Sequence, residues 1–128
     1  MAYHNHAFEF TRGSNGRLGL ETLYDSTAPD LVKSELDVAW VQIGGGDPAA
    51  WIERLKGRIP LIHLKDYNPD MTPQWQPGGE GVVDWNAVLA AAKNVGVEFG
   101  AIELDESPGD PVEAVRSSYR FFSGRGLR

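Results

Sequence analysis

The sequence contains no cysteine. Disulfides, thiolate nucleophiles and sulfur ligands are therefore excluded, and any bound ion must be held by imidazole, carboxylate and water. No apolar run approaches the about 18 residues that a membrane span needs. The first residues, Met1-Ala2-Tyr3-His4, do not have the form of a signal peptide, so a cytoplasmic location is expected. There is no excess of basic charge either: 12 Lys and Arg stand against 18 Asp and Glu, for a net charge of -6. With no basic stripe, nucleic acid and membrane surfaces are not expected as partners. Low-complexity segments, internal linkers and sequence repeats are also lacking. What remains is a chain of 128 residues, 41% hydrophobic, long enough for one domain with a sizeable core over residues 1–128.

Residues 2–10 alternate apolar and polar side chains and predict a first strand. Leu20 and Leu23 predict a short helix over 18–26, and a second strand region follows at 31–40. After the break at Gly44-Gly45-Gly46, Asp47 and Pro48 have the residue types of a helix cap and first helical position. Trp51, Ile52 and Leu55 give that helix its apolar side, and Gly57 stops it. A third strand is expected at 61–65, then a polar loop over 67–81. Asp84 caps a helix carrying Trp85, Val88, Leu89 and Ala92, which Gly96 closes. A fourth strand is expected at 100–104 and a last helix from Pro111 to Gly124, with 126–128 as a tail. Strands alternating with helices imply an α/β fold, parallel pairing and right-handed crossovers.

The third strand is the most informative. Leu61, His63 and Lys65 share one face; Ile62, Leu64 and Asp66 share the other. Charged groups crowd its C-terminal end, where active sites lie in parallel α/β barrels. The other strands repeat the theme, with His4 on the first, Asp37 on the second and Glu103 on the fourth, each about one βαβ unit of roughly 30 residues from the next. Two imidazoles and two carboxylates suit a divalent cation, with Mn²⁺, Mg²⁺, Co²⁺ and Zn²⁺ all chemically open. As single residues none of these is specific; as one acid or histidine per successive strand they favour a site.

Several stretches resemble the sugar phosphate isomerase/epimerase family, the xylose-isomerase-like TIM barrels, in the C-terminal half of that fold. They are Tyr3-His4-Asn5-His6 with Glu9-Phe10, Leu36-Asp37-Val38-Ala39-Trp40, Gly57-Arg58-Ile59, His63-Leu64-Lys65-Asp66, Gly79-Glu80-Gly81 with Asp84-Trp85, and Ile102-Glu103-Leu104-Asp105. The resemblance implies a half (β/α)8 barrel of four parallel βα units, with His4, Asp37, His63 and Glu103 on the metal. It also implies proton transfer on a ketose or keto-sugar through a metal-stabilised enediolate, with Glu103 and His63 carrying the chemistry on a small sugar or sugar phosphate. The chain departs from the family pattern at three points. His4 stands where the family has Glu, Trp40 where its epimerases have His, and Pro69 where they have Arg.

Other residues have two readings each. His6 faces the same way as His4 and is a candidate substrate contact or a capped strand-end histidine. Lys65 either holds a substrate hydroxyl or phosphate or pairs with Asp66 or Asp105. Glu9 resembles a family position near the substrate and otherwise sits in a loop. Trp40 and Trp75 either floor a sugar pocket or pack in the core. The Gly78-Gly79-Glu80-Gly81 run lacks the Gly-Lys-Ser/Thr sequence of a phosphate loop. Two further functions stay open: a non-catalytic half-barrel scaffold that retains a metal site, and a metal-dependent dehydratase of a cyclitol or keto-sugar. A TIM barrel needs about eight strands and 250 residues. Four strands leave two open edges and an inner face expected to be apolar, so a homodimer closing one eight-stranded barrel is expected.

Overall fold

The structure, a computed structural model, describes residues 1–127. Arg128, the end of the expected tail, lies outside the described residues. In chain order the elements are β1 (Ala2–His4), a 3-10 turn (Phe8–Phe10), α1 (Gly19–Asp25), β2 (Lys33–Asp37), α2 (Val38–Ile43) and α3 (Pro48–Arg54). They continue with β3 (Leu61–Leu64), β4 (Asp66–Tyr67), β5 (Trp75–Gln76), α4 (Trp85–Val95), β6 (Phe99–Ile102) and α5 (Pro111–Ser123).

The main sheet has the order β1-β2-β3-β6, and every pairing is parallel. The expected α/β alternation is thus present, and the four-stranded sheet is consistent with half of a TIM barrel. One face of the sheet carries Leu36, Ile62 and Leu64, which are buried with Val88 and Ala92 of α4 and Ile52 of α3. Burial of each Leu, Ile or Val among them contributes on the order of 1.5–3 kcal/mol. The caps read from sequence are in place. Asp47 accepts from the Ala50 amide, Asp84 from those of Asn86 and Ala87, and Gly96 ends α4 in the left-handed region at φ 81°.

Four local expectations need correction. The first strand ends at His4 rather than running to Phe10. The Glu9 carboxylate accepts the His6 amide (2.9 Å) and the Tyr3 hydroxyl (2.7 Å), which curls the chain into the 3-10 turn. The second strand ends at Asp37, because the Asp37 side chain accepts the Trp40 amide (3.0 Å) and starts α2, a helix not expected from sequence. The loop at 67–81 is not wholly irregular: β4 and β5 pair antiparallel at its base. Finally, the open inner face is not an apolar sheet surface. In register, His4 lies beside Glu35, Glu35 beside Leu61, and Leu61 beside Phe99, so polar and apolar side chains share one row.

Candidate metal centre

His4 is the last residue of β1, Asp37 the last of β2, His63 the third of β3, and Glu103 follows β6 directly. All four therefore stand at the C-terminal end of the parallel sheet. They run diagonally across it, because Asp37 is level with His63 but one row beyond His4 and its neighbour Glu35. Such a stagger is what strand tilt produces in a barrel wall. One ligand atom from each of the four lies within 4.8 Å of all the others. Two ligands about 2.1 Å from an ion, on opposite sides of it, are about 4.2 Å apart. The cluster can take one divalent ion if its widest pair closes by up to about 0.6 Å, or by more for tetrahedral geometry. The donor set, two nitrogens and two carboxylate oxygens, leaves Mn²⁺, Mg²⁺, Co²⁺ and Zn²⁺ all open.

Two of the four, Asp37 and His63, are held from behind. Asn5 is fully buried and pairs with the backbone of Asp37: its amide nitrogen donates to the Asp37 carbonyl (3.3 Å), and its oxygen accepts the Asp37 N–H (3.0 Å). The side chain extends the β1–β2 ladder by one rung and fixes where Asp37 points. On Asp37, Oδ2 faces His4 Nε2 at 3.4 Å, His63 Nδ1 at 3.7 Å and Lys65 Nζ at 3.6 Å. His63 is gripped at both nitrogens, Nδ1 by Glu103 Oε2 and Nε2 by Glu35 Oε1 at 2.7 Å. Glu35 was not singled out by sequence, although it shares the strand face of Asp37 two residues earlier, and that alternation was the available signal. A carboxylate behind the second nitrogen of a ligating histidine fixes the ring and raises its basicity.

The charges reinforce one another. Burial pushes the Asp37 carboxyl up, but His4, His63, the Trp40 amide and the Lys65 ammonium outweigh it and bring its pKa down to about 2. The carboxylate of Asp37 leads in raising His63 to about 9; burial opposes the shift, and Glu35 and Glu103 add to it. Without an ion, His63 is therefore an imidazolium among carboxylates at neutral pH.

No family model matches the chain, and no curated protein matches it by sequence. Solved structures do. A sugar phosphate isomerase/epimerase from Parabacteroides distasonis superposes with TM-score 0.83 at 28% identity, covering 98% of this chain and 45% of that one. The chain is similar to the sugar phosphate isomerase/epimerase and xylose isomerase-like proteins. A xylose isomerase domain protein from Planctomyces limnophilus has TM-score 0.68 at 18% identity, covering 94% of this chain and 42% of that one. A probable 3-DHS dehydratase from Bacillus anthracis has TM-score 0.65 at 18% identity, covering 84% and 43%. At that identity these last two show the fold alone. The chain spans less than half the length of the structures it matches.

The other residues that carry the isomerase/epimerase resemblance fall into two groups. Beside the quartet, the exposed His6 ring meets the His4 ring edge-on, with centroids 4.9 Å apart, and lies 5.4 Å from Trp40. Trp40 packs against Trp75 at 4.9 Å. Lys65 is fully buried, and its ammonium reaches Asp105 at 2.7 Å, one of the two pairings open from sequence. Away from the quartet, Glu9 is buried and spends both oxygens on Tyr3 and His6. Arg58 donates to the Tyr24 and Thr27 carbonyls (2.6 and 2.7 Å), tying down the C-terminal end of α1. The amides of Gly79 and Gly81 donate to Asp66, so the glycine run wraps a carboxylate of its own chain and not a phosphate.

Proposed function

We propose that the chain carries a divalent-metal site for proton transfer on a ketose or keto-sugar, free or phosphorylated, of the isomerase/epimerase type. The observation that supports it is the convergence of His4, Asp37, His63 and Glu103 within 4.8 Å at the C-terminal strand ends. His4 Nε2, Asp37 Oδ2, His63 Nδ1 and Glu103 would hold the ion. A bound divalent ion supplies Lewis-acid polarisation of adjacent sugar oxygens. Glu103 divides its oxygens, with Oε2 toward His63 and Oε1 toward Lys65 at 3.5 Å. One carboxylate can then both ligate and accept a substrate proton, general-base chemistry worth roughly 10²–10⁴-fold. His6 and Trp40, at the quartet's side, border the substrate; Glu9 shapes the turn that presents His6. No helix among the described residues is long and apolar enough to cross a membrane, and a cytoplasmic setting completes this reading.

The test joins metal content to turnover. Purified protein supplied with Mn²⁺ should hold one ion per chain and act on a member of a ketose and keto-sugar panel, and Glu103→Gln should remove far more activity than Glu9→Gln. An ion with no turnover selects the scaffold alternative; loss of water from a keto-sugar selects the dehydratase; no ion at all sinks the metal reading.

We also propose that a second copy closes the sheet. β1 and β6 are each paired on one side only. Exposed apolar side chains flank both edges, Met1, Phe8 and Leu31 near β1 and Phe99 on β6 itself. The chain covers 45% of the Parabacteroides distasonis protein, so two copies approach the length of one such chain. Light scattering should give about twice the 14.0 kDa of one chain. A stable monomer at micromolar concentration overturns this.

A further inference from the structure

Among the described residues Lys65 is the largest side chain with no exposure, yet it stands at the open end of the sheet beside the quartet. Its ammonium lies 2.7 Å from Asp105 Oδ2, 3.5 Å from Glu103 Oε1 and 3.6 Å from Asp37 Oδ2. Beneath it are two aromatic faces, Trp75 at 4.3 Å and Trp40 at 5.2 Å from the ring centroids. A buried ammonium is costly unless paired, and aromatic faces favour a cation they shield from water. Two of the three carboxylates are shared with the quartet. Asp37 Oδ2 faces His4 and His63 as well as Lys65, and Glu103 turns Oε2 to His63 and Oε1 to Lys65. Bridging of this kind, two carboxylates between neighbouring positive charges, is how two-ion centres are held together. Here the second positive charge belongs to the chain.

We propose that Lys65 is a positioning residue that acts as the centre's fixed second cation: its ammonium fills the space among Asp37, Glu103 and Asp105 and holds the centre to a single divalent ion. The proposal rests on the metal reading of the quartet. Substrate does not meet this lysine; it sets the number of ions and the direction of the two shared carboxylates. Without it, three carboxylates face one space with no counter-charge, and a free cation is drawn in.

The full-length chain tests this as wild type, Lys65→Arg, Lys65→Ala and Lys65→Ala/Asp105→Asn. Each is stripped of metal, loaded with Mn²⁺, freed of excess, and assayed for ions per chain and for spin coupling between them. Lys65→Ala should hold one more Mn²⁺ than wild type, Lys65→Arg the same number as wild type, and the double variant should lose the gain. Equal ion counts in wild type and folded Lys65→Ala overturn the proposal. If wild type holds no ion, the metal reading fails and this proposal with it; equal counts of one ion in wild type and folded Lys65→Ala overturn the proposal alone. Should Lys65→Ala fail to fold, Asp105→Asn decides. Asp105 is 40% exposed, and its loss leaves the ammonium less neutralised, so quartet affinity for Mn²⁺ should drop about tenfold. Glu106→Gln, the same charge change one residue along, should alter it less than about twofold on the same reasoning. Equal effects of these two substitutions overturn the proposal.

Discussion

Asp37 ends β2, and Asp66 opens β4 two residues past the end of the neighbouring β3; both are closed to solvent, at 0% and 1% exposure. Their surroundings differ completely. Asp66 accepts from five nitrogens at hydrogen-bond distance: the amides of Tyr67 (2.9 Å), Gly79 (2.9 Å), Gly81 (3.2 Å) and Val83 (3.2 Å), and the Trp85 indole (2.7 Å). Asp37 Oδ1 accepts one amide, but the closest partner of Oδ2 is His4 at 3.4 Å, with Lys65 and His63 farther still. Asp66 is a finished structure. It gathers the 67–83 loop over the sheet, and a side chain at Gly81 would collide with it. Asp37 Oδ2 faces two imidazoles and an ammonium, none of which closes on it. A buried carboxylate left loosely satisfied beside a fully bonded one, at the C-terminal end of a parallel sheet, marks a candidate place for something to bind.

The largest expected effect follows directly. Asp66→Asn turns one acceptor oxygen into a donor among five donors, and in metal-free protein it should cost about 3–5 kcal/mol. Asp37→Asn keeps the Oδ1 bond to the Trp40 amide and loses only the longer charge contacts of Oδ2, so it should cost less than Asp66→Asn. Urea denaturation in the presence of a chelator gives both values. Metal binding should rank them the other way: lost in Asp37→Asn, retained in whatever fraction of Asp66→Asn folds. Similar stability losses in the two would erase the distinction.

This contrast was only half legible in the sequence. His4, Asp37, His63 and Glu103 were readable because a strand's period of two and one polar residue per βα unit place them at one sheet end. Asp66 was not, because four of its five donors are amides up to 17 residues away, and backbone donors leave no trace in residue types. Beside Lys65 it read as half of an ion pair, and its glycine cradle as a weak phosphate loop. Helix α2 was hidden for a related reason. Its sequence, Val38-Ala39-Trp40-Val41-Gln42-Ile43, favours a strand by propensity, and only the cap from Asp37 turns it. The hairpin of β4 and β5 has two residues per strand, too short for alternation to register.

Glu35 sharpens the comparison, since it supports a ligand without being one. Removing its hold on His63 Nε2 frees the ring to rotate. Glu35→Ala should therefore weaken Mn²⁺ or Zn²⁺ binding about 10–100-fold, with a change in stability smaller than that of Asp66→Asn. Calorimetric titration of the metal-free protein reads it. An unchanged affinity would mean that the short contact with Glu103 alone orients His63.

The smallest effect is also the most specific, and it is a matter of protons. His63 has its pKa raised from 6.5 to about 9, so the metal-free fold gains stability from this group that is complete below 6.5 and is lost as pH rises through about 9. Asp37, lowered from 3.8 to about 2, contributes above 3.8 and loses that contribution as pH falls toward 2. An ion needs His63 deprotonated and Asp37 ionised. Between pH 7 and 8 Asp37 meets that condition already and His63 does not, so binding should release about one proton per ion. Affinity should climb about tenfold per pH unit until pH 9 and then level off. Stability should thus fall with rising pH over 7–9 in the metal-free protein while metal affinity rises over the same range. Titrations in buffers of different ionisation enthalpy count the proton. Zero protons released at pH 7.5 would place the ion away from His63 Nδ1. Asp66→Asn should leave the count at one, because that carboxylate, unlike Asp37, makes no contact with the ring.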